Sequence, residues 1–102
     1  MRHILVLQWL GTSEADYEAL LEMEDELENS PSDHLSVDGH DFGSGEMNIF
    51  IETDNPALAF ADAEAILGGR PRWAEVRAAH RGETGETYTV LRPAGQTDFA
   101  VA

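Results

Sequence analysis

The sequence predicts an α+β sandwich in which two helices cover one face of an antiparallel sheet. Two observations carry this prediction. Segments with the composition and period of β-strands alternate with two segments whose apolar residues recur at helical spacing. Capping residues and glycines mark the ends of these segments, and the resulting order is strand, helix, strand, strand, helix, strand, with one further strand appended.

The first strand is predicted at residues 3–10, where a nearly continuous apolar run is typical of a central strand buried on both faces. The first helix is predicted to begin after Ser13, because Asp16 three residues later completes a variant of the capping box. Asn29 and Pro31 are residues that terminate helices, so we expect the helix to run to about residue 29.

A β-hairpin is predicted next, with arms at residues 35–42 and 46–53. The Gly-Ser-Gly turn at 43–45 separates the arms, and its glycines can adopt the positive φ angles of a tight turn. In the second arm apolar and polar residues alternate with a period of two, so one set is expected to face the core.

The second helix is predicted to begin at Asp54 or Asn55, both of which are good N-caps. Pro56 follows in the first turn, where the missing N–H costs nothing. Gly68 and Gly69 end the helix, as glycines commonly do at helix C-termini.

The last two strands are predicted at residues 73–80 and 86–92. The whole order fits the split βαβ arrangement, so we expect a ferredoxin-like βαββαβ sandwich with an extra C-terminal strand. Residues 1–93 are expected to form this single domain, and residues 94–102 a loosely held C-terminal tail.

Composition excludes several classes of function. The chain has 102 residues, no Cys and a formal charge of -14, and all six of its basic residues are Arg. Strong negative charge opposes binding to nucleic acid or anionic lipid. The absence of Cys and Lys excludes disulfides, Cys-based metal sites, Schiff-base catalysis and the P-loop lysine. No apolar run could span a bilayer, and no signal peptide is recognisable, so we expect a cytoplasmic protein. We also expect that the protein needs no cofactor.

The sheet face that the helices leave uncovered is the first candidate site. Strand alternation assigns several large side chains to this face, although the first strand could present either of its two sets. The residues assigned to it, as a ligand pocket or a dimer face, are Trp9, Asp38, His40, Phe42, Asn48, Phe50, Trp73 and Arg77. An exposed patch of this kind marks an interface or a binding groove, and we expect a homodimer.

His40 is the weak catalytic candidate of the sequence. Acidic neighbours such as Asp38 and Glu46 could orient it as a general base, although polar residues of a hairpin need no such role. We expect no metal site, because neither an Asp-rich calcium loop nor an HxxxH helix spacing is present.

The first helix carries a strongly acidic face, which is the second candidate site. Glutamates recur every fourth residue, at Glu14, Glu18, Glu22 and Glu26, with no basic residue between them. Two interpretations fit this face: a solvated surface, and a docking surface for a basic protein partner. Glu24 departs from this pattern: it projects onto the apolar stripe, where it is expected either to reach an Arg at the edge of the core or to point into a cavity.

The basic residues concentrate late in the chain, where five of the six arginines follow residue 69. Those at Arg70, Arg72, Arg77 and Arg81 could pair with the acidic helix of another subunit, neutralise Glu52 and Glu75 across the sheet, or bind a small carboxylate. We expect mainly the pairing across the sheet.

The string VDGHDFGSGEMNIFIETD at residues 37–54 resembles small bacterial proteins of uncharacterised function with ferredoxin-like folds. More remotely, the architecture is similar to the dimeric α+β barrel group, which includes both enzymes and non-catalytic proteins. The resemblance implies a bacterial origin and assigns no catalytic residue. We therefore expect a non-enzymatic interaction or accessory protein that acts as a homodimer. The alternative is a small enzyme of the α+β barrel type, with a pocket on the open face around His40.

Overall fold

In the computed structural model the chain forms two helices, a short 3₁₀-helix and a five-stranded antiparallel sheet within the described residues, which are 2–85, 87–93, 95 and 98–101. The elements in chain order are β1 (His3–Leu10), α1 (Glu14–Glu28), β2 (Ser36–Gly43), β3 (Glu46–Thr53), α2 (Pro56–Leu67), the 3₁₀-helix (Pro71–Glu75), β4 (Arg77–Gly82) and β5 (Thr89–Arg92). The sheet order is β2-β3-β1-β4-β5, so the predicted α+β class is confirmed and the arrangement is compatible with a ferredoxin-like fold.

The helix starts follow from the capping residues that the sequence indicated. Ser13 Oγ accepts a hydrogen bond from the backbone N–H of Asp16 at 3.1 Å, and the Asp16 carboxylate accepts one from the N–H of Ser13 at 3.1 Å. Asn55 caps α2 through its side-chain oxygen, which accepts from the N–H of Leu58 at 3.2 Å, and Pro56 occupies the first turn. Both helices therefore begin where predicted.

The core lies between the helices and one face of the sheet. Leu5, Leu7 and Trp9 of β1 belong to the same buried cluster as the inward residues of both helices. Of the two possibilities that the sequence left open for β1, the structure therefore selects the one in which Trp9 lies beneath the helices. We call this face the helix side and the opposite face the open face.

A β-bulge in β2 corrects the predicted positions of His40 and Phe42. Val37 pairs with Ile51, but Gly39 already pairs with Phe50, so one extra residue stands in β2. Because side chains alternate with a period of two, the extra residue places every later side chain of β2 on the opposite face from the one predicted. His40 and Phe42 consequently lie on the helix side rather than on the open face.

Trp73 is also placed differently from the prediction. It lies in the 3₁₀-helix, not in a strand, and its ring stacks on Phe60 of α2 with centroids 5.7 Å apart. Pro71 occupies the first turn of that short helix, which β4 follows only at Arg77. Trp73 is therefore part of the core on the helix side. Of the predicted strand 86–92, the structure has Thr89–Arg92, and Glu86 lies outside the described residues.

Candidate functional site

The open face combines an apolar centre with polar and charged residues. The strand register places Val6 between Phe50 on β3 and Ala79 on β4, and Ile4 between Glu52 and Arg81. Leu10, at the end of β1 on this face, is 81% exposed. Asn48, Phe50 and Arg77 are thus on the open face as predicted, whereas Trp9, His40, Phe42 and Trp73 are not.

A row of polar side chains crosses the open face at one level of the sheet. Arg77 on β4, Gln8 on β1 and Asn48 on β3 are register partners on three adjacent strands. Arg77 donates to Gln8 Oε1 at 3.2 Å, and Gln8 Nε2 donates to Asn48 Oδ1 at 3.0 Å. We call these three residues the polar row. Its members Gln8 and Asn48 are buried, although no helix covers them.

The C-terminal segment 98–101, which we call the tail segment, lies on the polar row. The backbone carbonyl of Asp98 accepts a hydrogen bond from Arg77 at 3.1 Å, and that of Ala100 accepts one from Gln8 Nε2 at 2.9 Å. The Phe99 ring packs against Tyr88, with centroids 5.0 Å apart. Residues 94, 96, 97 and 102 of the predicted tail lie outside the described residues, and how firmly the tail is held stays a prediction.

The arginines of the open face differ from the others in their partners. Arg77 donates to Gln8 and to the Asp98 carbonyl, and Arg81 donates to the carbonyls of Gly82, Glu83 and Gly85. Neither forms an ion pair with a carboxylate of the described residues. The other four do: Arg2, Arg72 and Arg92 each form one ion pair, and Arg70 forms two. The expected pairing of Arg70, Arg72, Arg77 and Arg81 with Glu52 and Glu75 is not seen among the described residues, and Glu52 pairs with Arg2 instead, at 3.4 Å.

Two of the late arginines bind the acidic helix of their own chain. Arg70 donates to both carboxylate oxygens of Glu26, at 2.6 and 3.1 Å, and lies 3.7 Å from Glu22. Arg72 donates to Asp16 at 2.6 Å. The backbone N–H of Ser13, and after it the Arg72 guanidinium, hold the pKa of the Asp16 carboxyl well below its usual range. Half of the predicted acidic surface is thus engaged within the chain, while Glu14 and Glu18 form no ion pair with any described residue.

His40 has a carboxylate partner that the sequence did not identify. Its Nδ1 lies 3.0 Å from each carboxylate oxygen of Glu24, which reaches over from α1. The Tyr17 ring stands edge-on to His40, with centroids 6.1 Å apart. Glu24 therefore lies at the edge of the core, as one of the two expectations had it, but its partner is His40 rather than an Arg. Asp38, on the same strand as His40, and Glu46, at the start of β3, were the acidic neighbours proposed for His40, and the carboxylate bound to its Nδ1 is that of Glu24 instead.

Two histidines meet at the opposite end of the sheet. The rings of His3 and His80 are in edge contact with centroids 5.9 Å apart. Burial, and secondly the nearby His3, lower the pKa of His80. Both side chains lie on the helix side, since His80 pairs with Leu5 in the register.

The main groove of the open face lies away from His40. A groove of about 700 Å³ lies beside the tail segment and is lined by Arg77, Tyr88 and Phe99 among others, and His40 does not line it. Within the described ranges, no three His, Asp or Glu side chains come together as metal ligands. Neither of the two helices in those ranges has the length and apolar content needed to cross a bilayer.

Comparisons with protein families, with curated proteins and with solved structures found no match to this chain. The resemblance of residues 37–54 to small bacterial proteins, and that of the architecture to the dimeric α+β barrel group, therefore stay predictions.

Proposed function

We propose that the protein is a non-catalytic bacterial interaction protein of the cytoplasm that acts as a homodimer. In this proposal the fold is a ferredoxin-like sandwich with an added strand, two copies join through their open faces, and α1 is presented to a basic partner protein. One observation carries the dimer: Arg77 and Arg81 both lie on the open face, where the acceptors of their hydrogen bonds are amide and carbonyl oxygens.

The charges of the open face suit a second copy of the same chain. Its β4 side carries Arg77 and Arg81, while Asp41 on β2, at the other side of the sheet, is exposed and forms no ion pair with a described residue. A two-fold axis running parallel to the strands between two stacked sheets would bring β4 of each copy over β2 and β3 of the other. Arginines and carboxylates would then meet across the interface.

The area of the sheet face is somewhat below that of a standard interface. Five strands of four to eight residues, spaced ~4.8 Å apart with rises of ~3.3 Å per residue, give roughly 540 Å², and the tail segment lies on part of this area. A standard interface takes about 800 Å² from each partner. The exposed Leu10 and the half-buried Ile4 and Phe50 add apolar surface to this face.

Charge reversal tests the dimer. Asp41 and Arg77 lie at the same level of the sheet, on its two sides, so the two-fold axis brings each near the other across the interface. We expect Arg77→Glu and Asp41→Arg each to shift the protein towards monomer, because each brings like charges together. The chain carrying both changes should regain the dimer, because the ion pair forms again with its positive and negative charges exchanged between the two positions. Glu14→Arg on α1 makes the same change in net charge as Asp41→Arg and should leave the mass in solution unchanged. Sedimentation velocity reads out each variant, and failure of the double variant to recover would count against this geometry.

The acidic face of α1 supports the proposal that the protein binds a basic partner protein. Glu14 and Glu18 are exposed, and the summed charge of -14 would speed the encounter with a positively charged protein at low salt. An arginine-rich synthetic peptide serves as the probe. Glu14→Gln with Glu18→Gln should weaken its binding more than Glu75→Gln with Glu83→Gln, a pair that removes the same charge elsewhere. Equal losses would mean that only net charge matters.

The enzymatic alternative keeps one observation in its favour, the two-oxygen contact of Glu24 with His40 Nδ1. A carboxylate in this position orients an imidazole for general base catalysis. The contact equally ties β2 to α1, and His40 lies on the helix side, away from the pocket that this alternative requires. If a turnover is found for this protein, its survival in His40→Ala with the fold intact would exclude the alternative.

A further inference from the structure

The edge of the sheet beneath α1 combines an unpaired strand with exposed apolar side chains. β2 ends the sheet order, and its outer backbone groups form no hydrogen bond with another described residue. Tyr17 and Leu21, one turn apart on α1, are each 37% exposed. The Tyr17 ring packs on Phe42 of β2 with centroids 5.2 Å apart, which places this apolar pair beside the strand. We call β2 together with Tyr17 and Leu21 the α1–β2 edge.

Four exposed carboxylates of α1 surround this apolar pair. They stand three, four or seven residues from Leu21, and these spacings put side chains on one face of a helix. The four are Glu14, Glu18, Asp25 and Glu28. None of them forms an ion pair with a described residue, whereas Glu22 and Glu26, farther round the helix, bind Arg70. The α1–β2 edge is therefore apolar at its centre and negative around it.

The two edges of the sheet are protected from pairing in different ways. β5 has only the four residues Thr89–Arg92, and Pro93 directly after it has no backbone N–H to donate. β2 has eight residues, and its protection comes from its bulge and from the exposed carboxylates of Asp38 and Asp41. These carboxylates repel a second acidic edge, so they disfavour pairing with another copy of this chain. The same charges favour a basic segment.

We propose that the basic partner protein adds an extended segment beside β2, as a sixth strand of the sheet. Main-chain hydrogen bonds to the outer side of β2 supply affinity, and alternate side chains of the segment supply specificity. This inference rests on the proposed basic partner and states how that partner binds. Because the added strand lies in the plane of the sheet, the open face stays available to a second copy.

The side chains of the added segment follow from those of the α1–β2 edge. Every second side chain of a strand points to the same face, so one set of them faces α1. An apolar residue in this set lies against Tyr17 and Leu21. An arginine or lysine two residues to either side reaches the carboxylates of Glu18 and Asp25.

Amide hydrogen exchange of the full chain tests the added strand. The probe is the synthetic peptide Arg-Thr-Arg-Thr-Val-Thr-Arg-Thr-Arg, which has one central Val among the arginines of one face. Because the bulge at Gly39 bends β2, regular pairing is expected along His40–Gly43, where every second amide points outward. Saturating peptide should slow exchange of these outward amides by about tenfold or more. The amides bonded to β3 are protected with and without peptide, and they serve as the internal control.

A matched pair of uncharged substitutions tests the apolar contact. Leu21→Ser removes an exposed leucine beside β2, and Leu58→Ser removes one on α2 that is 46% exposed. Neither substitution changes the net charge. Leu21→Ser should weaken peptide binding by roughly 3- to 10-fold, because apolar surface is no longer buried by the central Val. Leu58→Ser should leave the affinity unchanged, and equal affinities of the two variants would overturn the placement of the segment.

The outcomes separate the added strand from the basic partner on which it rests. Slowed exchange of the outward β2 amides together with a loss of affinity in Leu21→Ser is the expected result. Peptide binding that leaves the exchange of these amides unchanged overturns the added strand alone. No peptide binding at low salt overturns the basic partner itself, and the added strand with it.

Discussion

The two faces of the sheet differ in how their polar groups find partners. On the helix side, Trp9 donates to the carbonyl of Arg72 at 3.0 Å, and Trp73 donates to Glu64 at 3.1 Å. On the open face, the polar row is bonded to itself and to the tail segment, and one amide donor of Asn48 is left without a described partner. The two indoles of the helix side thus find acceptors in their own chain, whereas on the open face a buried amide donor does not find one among the described residues.

The largest expected effect contrasts two leucines of β1. Leu7 is fully buried on the helix side, whereas Leu10 is 81% exposed on the open face. We expect Leu7→Ala to lower the free energy of unfolding by about 2–5 kcal/mol through lost burial and a cavity. Leu10→Ala should change it by less than about 0.5 kcal/mol in the monomer. Urea denaturation at low protein concentration measures both, and similar losses would contradict this assignment of faces.

A second expected effect probes how closely the chain packs where β1 ends. A Cβ on Gly11 would lie 2.8 Å from Met47 Sδ and 3.1 Å from Asp16 Cβ. We expect Gly11→Ala to destabilise the protein by roughly 1–3 kcal/mol, because neighbours must shift. A Cβ on Gly69 meets nothing within 4 Å, so Gly69→Ala is the matched control and should show no such loss.

A smaller effect concerns acid stability at the start of α1. The folded-state pKa of Asp16 is lowered from 3.8, so its carboxylate stabilises the fold fully at pH values well above 3.8 and progressively less as the pH falls through 3.8 towards the lowered pKa. We expect Asp16→Asn to reduce the urea midpoint at pH 7 and to behave nearly like wild type in strong acid. A difference that is the same at both pH values would mean that the charge of Asp16 contributes nothing.

The smallest effect is expected at His80. Its pKa is lowered from 6.5, so the folded state binds this proton less readily than the unfolded state does. Its contribution to stability is therefore present above pH 6.5 and is lost as the pH falls from 6.5 to the lowered folded-state pKa, and His80→Gln should remove that part of the pH dependence. NMR titration of the imidazole measures the pKa directly, and a value above 6.5 would contradict the burial described here.

The sequence predicted the elements of the helix side well because capping is local. Ser13, Asp16, Asn55 and Pro56 specify their helix starts through bonds to residues nearby in the chain. The arms of the hairpin were also predicted, because a strand with one buried face alternates apolar and polar residues, and that period of two is visible in the sequence.

The face assignments failed where a single residue changes the alternation. Gly39 inside a strand pattern is a signal for a bulge, and it could have predicted that His40 and Phe42 turn to the helix side. Proline is typical of the first turn of a helix, so Pro71 could have indicated that Trp73 is not in a strand.

The contacts of the open face leave no such signal. Gln8 and Arg77 bind backbone carbonyls of the tail segment. Every residue has such a carbonyl, so the sequence does not indicate which ones are bound. Likewise, the pair of Glu24 and His40 joins residues whose only hint in the sequence was a carboxylate on an apolar stripe. Such long-range polar contacts depend on tertiary structure rather than on local pattern.

The mass of the untagged protein in solution is the most direct test of the claim that the open face joins two copies. Sedimentation equilibrium at micromolar concentration should give the mass of two chains. Raising the salt concentration should weaken the association, because charge pairs across the interface become screened. The mass of one chain at every concentration tested would contradict the account.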